Sequence, residues 1–153
     1  MGKSRYPAFS VVMAVYKNDR AEWLVQAIDS LMNQSVKADD IVIVVDGPLT
    51  EVLNAVLRRY KNEKIISLVR LAQNKGLGNA LNVGIAHAKH ELVARMDADD
   101  IAVENRFELQ LAEFDKSPNL DILGGQIAEF VDTPNNIVAY RKVPTSHNDI
   151  KQF

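Results

Sequence analysis

Apolar residues in this chain fall into two kinds of pattern. Four short, nearly continuous runs stand out: Phe9-Ser10-Val11-Val12-Met13-Ala14-Val15, Ile41-Val42-Ile43-Val44-Val45, Ile65-Ile66-Ser67-Leu68-Val69-Arg70-Leu71 and Leu92-Val93-Ala94-Arg95-Met96. Runs of this length, rich in valine and isoleucine, predict strands buried on both faces. Between the runs, apolar residues recur at helical spacing. Leu24, Ile28 and Leu31 make one stripe, with Trp23, Ala27 and Met32 beside it. Val52, Leu53, Val56, Leu57 and Tyr60 make a second, and Ala80, Leu81, Ile85 and Ala88 a third. Asp19 with Glu22 predicts a capping box opening the first helix, which continues to Asn33. Thr50 predicts the cap of the second helix. Gly84 inside the third costs roughly 1 kcal/mol against alanine and predicts a close backbone approach there. Glu104 to Asp115 predicts a fourth helix with Phe107, Leu111 and Phe114 inward, stopped by Ser117-Pro118. Asp121 to Asp132 then reads as a strand bulged at Gly124-Gly125, and Pro134-Asn135-Asn136 as a turn into a last strand, Ile137 to Arg141.

Strand and helix alternate through the first two-thirds of the chain. That order predicts an α/β fold, a three-layer α/β/α sandwich with a mostly parallel, Rossmann-like sheet. In such sheets ligands bind beyond the carboxyl ends of the strands. The residues that follow the four runs are Tyr16-Lys17, Asp46, Asn74-Lys75, and Asp97-Ala98-Asp99-Asp100. Every polar cluster with useful chemistry is therefore expected at one edge of one sheet.

In an extended segment Asp97 and Asp99 point the same way. Adjacent carboxylates repel, and a divalent cation removes that conflict. Mg²⁺ or Mn²⁺ is held by one or two carboxylates, with substrate phosphates and water completing the shell. The plainer alternative is a solvated acidic turn and helix cap. Tyr16 offers a ring for stacking a base, or is a half-buried core tyrosine. Asp46 can accept from a base N–H, or is a turn residue before Gly47-Pro48. Lys75 in a glycine-containing turn can meet phosphate beside the N–H groups of the following helix, or is simply solvated. Asn79 and Asn82 are either polar ligands or helix-surface residues. Arg106 is expected to pair with Asp99 or Asp100 across a helix start. His87, His90 and His147 lack metal-ligand spacing and read as ordinary surface residues.

Composition narrows the classes. The chain has 153 residues, one domain's worth, and at 47% apolar and 25% charged it can bury a proper core. A net charge of -2, from 18 basic and 20 acidic residues with no basic block, implies no nucleic-acid partner. The absence of cysteine excludes disulfide and thiolate chemistry and fits a reducing compartment. The opening stretch Met1-Gly2-Lys3-Ser4-Arg5-Tyr6-Pro7 lacks a signal-peptide apolar core, and no run is long enough to span a bilayer. A phosphoacceptor receiver domain shares the alternating pattern, but needs an acidic pair after its first strand, where Tyr16-Lys17-Asn18 stands. A sugar nucleotidyltransferase needs a glycine-rich basic turn there.

These residues resemble the N-terminal, nucleotide-sugar-binding part of an inverting family-2 glycosyltransferase of the GT-A fold. The similarity lies in Ser10 to Lys17, Val44-Val45-Asp46-Gly47, Asn74-Lys75-Gly76 with Ala80 to Gly84, Met96 to Asp100, Arg106, and Leu120 to Gly125. It implies transfer of a sugar from a nucleoside-diphosphate donor to an acceptor hydroxyl with inversion, in O-antigen, capsule or other surface polysaccharide synthesis. It implies a donor site of Val15, Tyr16, Asp46, Asn74, Lys75, Asp97 and Ala98. Tyr16 would lie over the base and Asp46 would bond its edge. Asp97 and Asp99 would hold Mn²⁺ or Mg²⁺, with Asp97 approaching the ribose. A UDP-sugar is the favoured donor, a saccharide or lipid-linked saccharide the acceptor, and the cytoplasmic side of the membrane the setting. The family's catalytic carboxylate lies downstream of the metal motif, and Asp121, Glu129, Asp132 and Asp149 do not match it. Residues 1–153 are therefore expected to be a single donor-binding domain of a longer enzyme, inactive alone, with the general base beyond Phe153. Apolar surface left on the final strands would then favour self-association. The alternative is a non-catalytic nucleotide-binding module.

Overall fold

A computed structural model describes residues 6–152. The polar stretch Met1 to Arg5, the side chain of His147 and the final Phe153, on which expectations above rest, lie outside the described residues. The chain divides into two compact units, residues 1–116 and 117–153.

The first unit carries a four-stranded sheet with order β3-β2-β1-β4. Its strands are β1 (Phe9–Val15), β2 (Asp40–Val45), β3 (Ile66–Arg70) and β4 (Leu92–Met96). All three pairings are parallel. The helices α1 (Ala21–Met32), α2 (Glu51–Arg59), α3 (Leu77–His87) and α4 (Arg106–Lys116) fill the connections and follow β4. Alternate residues of the central strands serve opposite faces, as the pleat requires. Val11, Met13, Val15, Ile41, Ile43 and Val45 pack with Leu24, Ile28 and Leu31 of α1, Leu53 and Leu57 of α2, and Phe107 and Leu111 of α4. Val12, Val42 and Val44 pack with Ala80 of α3 on the other face. This is the three-layer arrangement the valine-rich runs predict. Val11 to Val15 and Ile41 to Val45 are apolar throughout because both faces of β1 and β2 are covered.

Gly84 shows why the layers sit where they do. A methyl group there would run into the Val12 side chain and come within 3.2 Å of Val44 Cγ2. The missing side chain lets α3 lie directly on β1 and β2. The Thr50 hydroxyl accepts from the Leu53 N–H at 3.3 Å, the predicted cap of α2. At the amino edge of the sheet Asp40 is fully enclosed. It accepts from Ser10 Oγ at 3.1 Å, from the Lys89 ammonium at 2.7 Å and from the Lys89 N–H at 3.2 Å. Burial alone would raise its pKa, but these donors outweigh it and hold the carboxyl below its ordinary value.

The second unit contains an antiparallel hairpin, β5 (Ile127–Phe130) and β6 (Ile137–Arg141), followed by α5 (His147–Gln152). The predicted turn forms, with Asn136 N–H donating to Thr133 O at 2.9 Å and Asp132 at φ 63°. The strand predicted from Asp121 is shorter. Residues 121–126 are irregular, and the register shift lies between Glu129 and Phe130, not at Gly124-Gly125. Residues 121–126 did not become strand because only 127–130 pair with β6. Val138 and Tyr140 are exposed.

Candidate functional site

Because the sheet is parallel, β1 to β4 all deliver their next residues to one edge. Tyr16 follows β1, and its backbone is locked by Asp19. The Tyr16 N–H donates to Asp19 Oδ2 at 2.8 Å, while the Asp19 N–H donates to Tyr16 O at 3.1 Å. This corrects the predicted capping box. Asp19 turns back to the strand end, α1 starts at Ala21, and the residue before it, Arg20 at the N-cap, makes no side-chain cap. Arg20 instead lies 4.4 Å over the Trp23 ring.

Asp46 follows β2 and is 4% exposed. Its Oδ1 accepts from the Lys75 N–H at 2.8 Å and its Oδ2 from the Gly76 N–H at 2.9 Å. The Asn74 side-chain amide donates to Asp46 O at 3.2 Å. One carboxylate thus pins the turn after β3 against the end of β2. Gly47, at φ 86°, permits that closeness, since a Cβ there would lie 2.5 Å from the Asn74 nitrogen. Gly76, at φ 85°, starts α3. Lys75 contributes its backbone to this anchor, and its side chain is exposed.

The acidic segment departs from the extended geometry predicted for it. The pairing of β4 with β1 ends at Met96, opposite Met13, although β1 runs on to Val15, so the chain leaves the ladder there. Ala98-Asp99 form a turn, with the Asp100 N–H donating to Asp97 O at 3.4 Å. Strand alternation therefore does not align Asp97 with Asp99; the turn brings both to the cleft. Arg95 engages Asp97 through both carboxylate oxygens. Among the described residues the Asp99 carboxylate has no hydrogen-bonded or ion-paired partner. Arg106 does not pair directly with Asp99 or Asp100. Its guanidinium donates to Arg95 O at 2.9 Å, Met96 Sδ at 3.3 Å and Gln110 Oε1 at 3.2 Å, tying α4 to the end of β4.

Val15, Tyr16, Asp46, Asn74, Asp97, Ala98 and Asp99 line one cleft of about 480 Å³, together with Ala14, Asp19, Gly76 and Leu77. Of the residues expected at the donor site, Lys75 alone is outside this lining. Its volume suits a small organic ligand. Asp19 and Leu77 were not anticipated. An aspartate three residues past Tyr16, able to fold back on its exposed N–H, was the available signal for the first.

Carboxylates dominate the charge of the cleft. Burial, helped by Asp99, raises the Asp19 pKa against the lowering effect of the Tyr16 N–H. Burial also raises that of Asp100, and Asp99 and Asp97 push it further. Burial lowers that of Arg106, opposed by Asp100 and Asp97. No group of three or more metal-ligating side chains converges among the described residues. The donor set, mutually repelling carboxylates at the mouth of a cleft with Asp99 unengaged, fits a cation whose remaining ligands come from a bound diphosphate.

Residues 10–153 match the model of glycosyl transferase family 2. The amylovoran biosynthesis glycosyltransferase AmsE of Erwinia amylovora is 40% identical over 95% of this chain and 54% of its own length. The UDP-Gal:alpha-D-GlcNAc-diphosphoundecaprenol beta-1,3-galactosyltransferase of Escherichia coli is 38% identical over 95% of this chain and 53% of its own. The chain thus spans about half the length of the curated relatives it matches. The mannosyltransferase PcManGT of Pyrobaculum calidifontis, solved in complex with GDP-Man and Mn²⁺, superposes with TM-score 0.61 at 23% identity. That match covers 87% of this chain and 38% of the other, and shows a shared GT-A fold.

Proposed function

The chain belongs to glycosyl transferase family 2, and from that premise we propose that its cleft binds the nucleoside diphosphate of a sugar donor, for transfer with inversion to a saccharide hydroxyl. The observation that carries this reading is convergence. Tyr16, Asn74 and the Asp97-Ala98-Asp99 turn come from the ends of three different strands and line one cleft. Tyr16, half exposed there, presents a ring to the base. The Asp46 anchor sets the turn that carries Asn74 and the first N–H groups of α3. Asp46 itself supports the base edge in this reading by holding that turn, since both its oxygens already accept backbone N–H groups.

Asp99, with no hydrogen-bonded or ion-paired partner among the described residues, is the principal ligand for Mn²⁺ or Mg²⁺ in this reading. Asp97 lies beside it, with Arg95 offsetting its charge. When bound, the cation neutralises charge building on the departing diphosphate. The chain's own residues hold the donor, screen one face of the sugar and fix the diphosphate at the cleft mouth. Inversion requires a base on the opposite face of the anomeric carbon to deprotonate the acceptor. In this reading that carboxylate belongs to the acceptor half, in keeping with relatives about twice as long. Residues 1–153 then bind donor but transfer sugar poorly by themselves.

One relative is named for amylovoran biosynthesis and another for galactosyl transfer to a diphosphoundecaprenol-linked sugar, which supports a polysaccharide product and a lipid-linked acceptor for this chain. No helix among the described residues is long and apolar enough to cross a membrane. Calorimetric titration of the chain with UDP-galactose, UDP-glucose and GDP-mannose, each with and without Mn²⁺, tests donor binding. Heat of binding that needs the metal supports the proposal, and none with any donor removes it.

A further inference from the structure

Asp19 is not needed to start α1, yet it sits in the cleft with its carboxylate turned onto the backbone of Tyr16. Two hydrogen bonds run in opposite directions between the same two residues, 2.8 Å from the Tyr16 N–H to Asp19 Oδ2 and 3.1 Å from the Asp19 N–H to Tyr16 O. They close residues 16–19 into a ring at the end of β1. Tyr16 has no neighbouring strand there, because the β1–β2 pairing ends at Val15 and Val45. Its backbone N–H faces Asp19, and its ring is 39% exposed. Among the described residues no other acceptor holds that N–H.

We infer that Asp19 is a positioning residue for the donor's nucleoside: it acts through Tyr16, fixing the backbone from which the ring covers the cleft. The inference rests on the donor-binding reading of the cleft. Its chemistry also explains why an acid stands in a site meant for a polyanion. A carboxylate accepts the Tyr16 N–H more strongly than a neutral oxygen does. Asp19 lines the cleft with Asp99, and burial, with Asp99 adding to it, raises its pKa. A stacking ring contributes only when it is held in place before the ligand arrives, since ordering it on binding subtracts from the gain.

The test is a double-mutant cycle on Mn²⁺-dependent binding of UDP and GDP by the intact chain, with Asp19→Ala, Tyr16→Ala, the double variant and Asp19→Asn. Asp19→Ala is expected to weaken binding about tenfold, the scale of one stacked base. The double variant is expected to bind no worse than Tyr16→Ala, because the two losses are one loss. Asp19→Asn keeps an acceptor oxygen and is expected to recover binding to within about threefold of wild type. A role confined to fold stability would give no such rescue pattern at equal melting temperature. Unchanged binding in Asp19→Ala, or additive losses in the double variant, overturns the inference. If the wild-type chain binds neither nucleotide, the donor reading fails. Amide exchange at Tyr16 in the ligand-free protein then decides the link: acceleration by Asp19→Ala and not by Asp19→Asn upholds it, and no change overturns it.

Discussion

Arg95 grips Asp97 like a fork. Its Nε and Nη2 donate to Oδ1 at 3.0 and 2.8 Å, and Nη2 also donates to Oδ2 at 2.8 Å. The two residues of the acidic turn are thereby made unequal, with Asp97 occupied and Asp99 open. Bidentate pairs of this kind are geometrically specific as well as strong, although this one is partly exposed and screened. Replacing Arg95 with alanine removes a positive charge beside the proposed metal site and frees a carboxylate. Mn²⁺ binding to the nucleotide-free chain, followed by electron paramagnetic resonance, should tighten by about two- to fivefold, the scale of a partly exposed ion pair. Weaker binding would mean that Arg95 organises the site for the metal.

Gly84 should not tolerate alanine. Alanine gains roughly 1 kcal/mol in helix propensity. Against that, the new methyl meets the stiff, buried Val12 side chain and forces α3 off the sheet. A clash with a fully buried side chain takes the upper part of the overpacking range, about 2–3 kcal/mol, so a net destabilisation of about 1–2 kcal/mol is expected in urea unfolding. Equal or greater stability would show that α3 lies further from β1 and β2 than described.

Much of this was readable in advance, for a simple reason. A strand covered on both faces is apolar on both, and Val11 to Val15 and Ile41 to Val45 advertise themselves that way. Gly84 could be flagged because glycine inside a helix needs a contact to justify it. Local pairings were harder. Asp19 and Glu22 fit a capping box, but a carboxylate at a strand end has a competing donor in Tyr16 N–H, and that donor won. Arg106 stands near the acidic turn in sequence, yet reaches the Arg95 carbonyl at the end of β4 instead. The Lys75 side chain is legible by type as a phosphate ligand, but the sequence does not show that its N–H anchors the turn to Asp46. The Asp97–Asp99 spacing was read as extended chain, which requires a strand pairing that ends at Met96. What a residue type can do is visible in sequence; which of two partners it chooses depends on contacts from distant segments.

Acid should report on the buried network at the amino edge. Asp40 has a lowered pKa in the folded chain. Its contribution is therefore fully present above the unfolded value of about 4 and is lost as pH falls through the lower folded value. Asp40→Asn cannot carry the charge at any pH. It should cost about 1–3 kcal/mol at pH 7, and the gap to wild type should shrink as pH drops from 5 toward 2. Unfolding free energies measured along that series check it; a gap that stays constant would contradict the assigned ionisation.

Asp46 should behave as an anchor. Asp46→Asn keeps one acceptor oxygen for two N–H donors, so the 74–76 turn loosens while the core stays packed. Nucleoside diphosphate binding should weaken about tenfold, the cost of about one charge-assisted hydrogen bond. Amide exchange at Lys75 and Gly76 should accelerate with it. Weak binding with unchanged exchange would instead assign Asp46 to direct contact with the base.

The central claim is that the cleft holds a nucleoside diphosphate through a cation at Asp99. It is tested most directly by thermal unfolding of wild type and Asp99→Ala with UDP or GDP, each with and without Mn²⁺. Ligand that binds only the folded chain adds RT ln(1 + [L]/Kd), about 2.7 kcal/mol at a hundredfold excess over Kd. The account predicts that nucleotide and Mn²⁺ together raise the melting temperature of wild type, that neither alone does so to the same extent, and that Asp99→Ala abolishes the joint effect. Equal stabilisation of Asp99→Ala and wild type, or none in wild type with either nucleotide, would contradict it.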